Sequence, residues 1–170
     1  MAFGVAHGAG VAGFPFAMIR EFSILRVKKQ VLASWEFPLT VDEVDESPLA
    51  GPLDEVTADR LFRAAGTFPF ARRLRDGRKA WLIEAPRRGS MDVWLTSDGS
   101  FFIEGELQLN LIYGLYVHLM QTYPDLVVED RITGVLHNRA SLLRLVRREE
   151  ERNLPFDLSD NPETTPPLAA

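Results

Sequence analysis

Two carboxylates, a histidine and an asparagine crowd one ten-residue stretch, as Glu129, Asp130, His137 and Asn138. A histidine oriented by Glu129 or Asp130 can act as a general base or a metal ligand, because imidazole titrates near neutrality. The same residues also spell local structure. Asp130 to Gly134 suits a polar turn between two short strands, "DLVVED" (125–130) and "TGVLH" (133–137). Asn138 carries the side chain a helix N-cap needs, with Ser141 able to serve if the helix begins later. The structural reading asks for fewer coincidences and is the one preferred.

The remaining candidates for chemistry are sparse. His118 has Gly114 four residues before it and Thr122 four after, so no HExxH zinc pattern exists. His7 lies far away, and three dispersed histidines without cysteine give no expectation of a metal or other cofactor. Glu104 and Glu106 flank Gly105 at an expected strand-to-helix junction. They could exchange protons with a substrate, or complement the helix dipole. An enzyme would have to be built on Glu104, Glu106, His118 and His137. Walker A, GxGxxG and GxSxG patterns are absent, and no catalytic residue is assigned.

The larger signal is charge segregation. Residues 36–59 hold eight acids and no base, whereas residues 60–88 hold nine bases against Asp76 and Glu84. Within the basic run, Phe68, Phe70 and Trp81 interleave with Arg72, Arg73, Arg75, Arg78 and Lys79. Such a set can grip an acidic protein patch, since arginine and aromatics are enriched in interface cores. It can grip nucleic acid, or it can neutralise the chain's own acidic loop. The partner-binding set expected from sequence is Phe68, Phe70, Arg72, Arg73, Arg75, Arg78 and Trp81.

Composition bounds these readings. The 170 residues suit one domain, and the absence of cysteine excludes disulfides, thiolate metal sites and cysteine nucleophiles. It also fits a cytoplasmic location. A formal charge of −5 argues against whole-molecule attraction to nucleic acid or acidic lipid. The uncharged start, "MAFGVAHGAGVAGFPFAMI", lacks the basic region of a signal peptide, and its glycines and Pro15 weaken any spanning helix. Residues 1–19 are read as a flexible Gly/Ala-rich arm, 20–152 as one domain, and 153–170 as a proline-rich acidic tail.

The elements that would position these residues follow from periodicity. "KAWLIEA" (79–85), "MDVWLT" (91–96) and "FFIEG" (101–105) read as a three-stranded antiparallel meander joined by "PRRGS" and "SDGS" turns. A helix is expected near 54–66, with Gly66 as its stop, and another from Asn138 to Asn153. A long apolar helix is expected over 106–123. Its apolar arc exceeds the stripe of an ordinary surface helix, so it calls for further cover, from the N-terminal segment or from a second subunit in a homodimer. Residues 20–37 stay open, with a strand favoured at Val31 to Phe37 and a helix allowed at Met18 to Leu25.

The fold expected is α+β: a single domain with an antiparallel sheet packed on the long apolar helix, and a C-terminal helix. The function expected is that of a small soluble protein-interaction module, of the adaptor, chaperone or immunity-protein kind, binding an acidic partner. A nucleic-acid-associated protein using residues 60–88, and an enzyme, are the alternatives.

Overall fold

A computed structural model describes residues 18–27, 29–40, 53–74, 79–96 and 101–153. Eight strands form one antiparallel sheet in the order β2-β8-β7-β1-β6-β5-β4-β3. In chain order they are β1 (Met18–Arg26), β2 (Leu39–Thr40), β3 (Ala71–Arg73), β4 (Ala80–Ala85), β5 (Gly89–Leu95), β6 (Phe101–Leu107), β7 (Leu126–Asp130) and β8 (Val135–His137). The helices are α1 (Lys29–Ser34), α2 (Glu55–Gly66), α3 (Leu109–Met120) and α4 (Arg139–Asn153). This is the expected α+β fold with its C-terminal helix.

The meander β4–β5–β6 forms because its apolar residues alternate. Ile83, Ala85, Met91, Val93, Phe101 and Ile103 are buried on one face, and the register sets Met91 opposite Ile83 and Val93 opposite Ile103. Helices α2, α3 and α4 cover that face through Leu61, Leu115, Leu142 and their neighbours. A second, small cluster lies on the other face, at the β1–β7–β8 end. There Val27, Val127 and Leu136 meet Leu32, Trp35 and Phe37.

Three expectations need correction. Residues 18–26 are the strand and 29–34 the helix, the reverse of the favoured assignment. The strand β1 lies between β6 and β7, and both its faces are covered near Ser23 and Ile24, so it lacks the polar alternation of a half-covered strand. Met18 and Ile19, assigned to the arm, also belong to β1; residues 1–17 and 154–170 lie outside the described residues, as do the turn residues 97–100.

The apolar helix is shorter than expected. It has 12 residues, or roughly 18 Å at 1.5 Å per residue. Strand β6 holds on through Leu107, which pairs with both Met18 and Gly89, so Glu106 belongs to a ladder. Its wide apolar arc is covered within the chain, by the sheet below and by α2 and α4 on either side. A second subunit is not needed to account for it. The helix expected near 54–66 does stop at Gly66. This glycine is the last residue of α2, and a Cβ there would collide with the Trp81 ring.

Candidate functional site

The sequence-predicted interaction set divides once it is placed. Strand β3 forms one edge of the sheet, and its three residues alternate. Arg73 turns to the helix side, with its guanidinium 4.6 Å from the Phe62 ring centre and 5.4 Å from that of Trp81. Trp81 donates its indole N–H to the Phe62 carbonyl at 2.8 Å. Phe68 packs beside Gly114 and edge-on to His118. Phe68 and Trp81 are therefore engaged in internal packing, and Arg73, though exposed, lies over the Phe62 and Trp81 rings. Arg75 and Arg78 lie outside the described residues.

Phe70 and Arg72 remain outward. Phe70 is 61% exposed and has φ of 67°, a conformation that for a bulky residue is an outlier. Arg72 turns to the opposite side of the sheet and pairs with Glu84 at 2.9 Å, both side chains well exposed. The neutralisation of the acidic loop by the basic run is represented among the described residues by Lys79 and Asp59, 3.0 Å apart.

The side of the sheet that carries Arg72 is strongly acidic. Cross-strand register sets Glu21 opposite Glu104 and Glu104 opposite Asp92, with Glu106 and Glu84 flanking Ser90. Glu104 and Glu106 thus stand on the face away from the helices. Gly105 between them faces the core, where a Cβ would collide with the Ser90 carbonyl.

His118 and His137 are elsewhere. His118 Nε2 lies 2.9 Å from both Ala64 O and Thr67 Oγ1; a carbonyl only accepts, so that nitrogen carries the proton. His118 ties α3 to the end of α2. His137 is buried on the helix side, beside Val128 in the register. The four residues an enzyme would use do not share a cleft. Among the described residues, no three His, Asp or Glu side chains are grouped to hold a metal ion.

The opening stretch resolves into caps and a turn. Asp130 Oδ1 accepts from Ile132 N and Thr133 N at 3.0 and 3.2 Å. Asn138 Oδ1 accepts from Ser141 N at 2.9 Å, and Ser141 Oγ accepts from Asn138 N at 3.0 Å, a reciprocal cap at the start of α4. His137 Nδ1 lies 3.3 Å from Ser141 Oγ. Both residues are buried, so this pair offers no exposed nucleophile. Burial pushes the His137 imidazole below its ordinary pKa, opposed by the Asp130 charge and assisted by Arg144.

Sequence reasoning missed a groove of about 700 Å3 between α4 and the β1–β7–β8 end of the sheet. Its apolar lining comes from Met18, Phe22, Pro38, Leu109, Val135 and Leu145. From α4 it receives Leu145, Arg148, Glu149 and Arg152, at the i, i+3, i+4, i+7 spacing of one helical face. That spacing was the available signal.

No helix among the described residues is long and apolar enough to cross a membrane. Comparison with protein-family models gives no match, and comparison with curated proteins gives none either.

Proposed function

We propose that the chain is a protein-interaction module that binds an acidic segment along the outer edge of β3, through Phe70 and Arg72. The observation that carries this reading is Phe70, a large aromatic that is both exposed and held at positive φ. Exposure forgoes the burial an aromatic would gain, and the backbone conformation costs roughly 1–2 kcal/mol more. Strain of this kind persists where it serves a site. Among the described residues no strand lies on the outer side of β3, so an extended peptide can add there as a further strand. Arg72 supplies a planar fork suited to a carboxylate. Its present partner, Glu84, is exposed, and such pairs contribute about 0–1 kcal/mol, so a partner's carboxylate can take its place.

A displayed peptide library panned against the immobilised protein tests this reading. Peptides enriched on the wild type should carry Asp or Glu beside apolar residues. They should be lost on Phe70→Gly and weakened on Arg72→Gln. Enrichment of basic peptides, or equal retention by both variants, would refute it. Preferential binding of single-stranded RNA with a steep salt dependence would move the site to the nucleic-acid class.

A further inference from the structure

The groove beside α4 has a charge pattern that its own residues leave unfinished. Two of its acids are already engaged. Glu149 pairs with Arg20 and accepts the Leu109 N–H. Asp130 is bound by the two amides of its turn. The cations are not engaged in the same way. Arg148 and Arg152 form no ion pair among the described residues, and both stand at the groove. The lining below them is aliphatic and aromatic, with Phe22 at 1% exposure and Met18 left at 60%. A volume of about 700 Å3 falls in the range of small-ligand sites, which are mostly apolar with a few placed polar groups.

We propose that this groove is a binding site for an amphipathic anion, a single apolar chain ending in a carboxylate, with the chain over Phe22, Val135 and Leu145 and the carboxylate at Arg148 and Arg152. The site is distinct from the β3 edge and stands or falls without it. Charge complementarity selects the headgroup. A cation at this end would meet two unpaired guanidinium groups, and a neutral head would leave both arginines unmatched; of the groove's acids, Glu149 is paired with Arg20, and Asp130 accepts two turn amides through Oδ1. The apolar lining selects the body. Arginine fits the role because its fork can hold both oxygens of a carboxylate at once.

The test uses the full chain and decanoate as the probe, followed by calorimetry and by amide chemical shifts. Saturable binding at one site is expected, with shifts concentrated at Leu109, Val135 and Leu145. Octanoate should bind about five- to fifteenfold more weakly, since each fully buried methylene is worth about a factor of four and the groove is partly open. Decanol, which has the chain without the charge, should bind at least fivefold more weakly than decanoate. Arg148→Gln with Arg152→Gln should weaken decanoate at least tenfold while leaving the melting temperature close to wild type, because both side chains are exposed. Absence of saturable binding by the wild type at millimolar decanoate would overturn the proposal. So would equal affinity for decanol, shifts centred away from the groove, or unchanged affinity in a folded double variant.

Discussion

The Glu149 carboxylate, one turn from the end of α4, accepts the backbone N–H of Leu109, the first residue of α3, at 2.7 Å. Gln108 precedes that helix without capping it by its own side chain, so a distant residue fills the place of a local cap. The anion also sits where the helix dipole favours negative charge. Arg20 from β1 pairs with the same carboxylate and donates its Nε–H to Leu107 O at 3.1 Å. One largely buried acid thus joins β1, α3 and α4.

Glu149→Ala should therefore cost about 2–4 kcal/mol, because it leaves Arg20 without its counter-charge in a largely buried place. Chemical denaturation measures this. A loss below 0.5 kcal/mol, as at an ordinary surface position, would show that the junction contributes little.

Asn138→Ala should cost about 1 kcal/mol through loss of the α4 cap. Ser141→Ala, which removes the reciprocal bond, should destabilise in the same direction. In a double variant the two losses should not add, since each bond depends on the other residue. Urea titrations of the three variants decide this.

Acid should weaken the fold through His137. Its folded pKa is depressed by burial, so the unfolded chain takes up the proton first as pH falls below about 6.5. The contribution is present above that value and is lost as pH falls from there toward the folded pKa. His137→Gln should flatten this part of the stability profile between pH 7 and 5. An unchanged slope would assign the effect to other groups.

Glu104 stands directly between Glu21 and Asp92 on the exposed face, and like charges opposite one another across strands are unfavourable. Glu104→Gln should raise stability by about 0.2–1 kcal/mol. The gain should shrink in molar salt, where the screening length falls to about 3 Å. Thermal melts at low and high salt provide the comparison.

Phe70 gives a paired test of backbone strain. Phe70→Gly relieves the positive φ and Phe70→Ala does not, so the glycine variant should be the more stable by roughly 1 kcal/mol. Elsewhere in a strand or helix the order reverses. An alanine variant as stable as the glycine one would remove the strain argument from the proposed edge site.

What could be read from sequence was local. The meander β4–β6 was legible because Met91, Val93 and Leu95 alternate within one strand and the turns carry their own residues. The α4 cap was legible because Asn138 and Ser141 are three apart. Strand β1 was not, because Phe22 and Ile24 face one covered side while Ser23, Leu25 and Val27 face another. The division of Arg72 from Arg73 was legible in principle, as adjacent strand residues point to opposite faces, but only once β3 was known to be a strand. The groove was beyond reach: the α4 stripe is visible at 145–152, yet the Met18 and Phe22 it faces are more than a hundred positions earlier.

The place of β1 also bears on how the chain is made. Arg20 reaches Leu107 across 87 positions and Ser23 reaches Arg131 across 108. At about 5–20 residues per second of synthesis, this first strand waits roughly 4–20 s on the ribosome before either neighbour has been translated. Until then Phe22, Ile24 and Val27 have no sheet to enter, and β3–β6 cannot be joined to β7–β8. Strand β1 is made long before either neighbour, which makes the interval before residue 130 emerges the one in which the nascent chain most needs shielding.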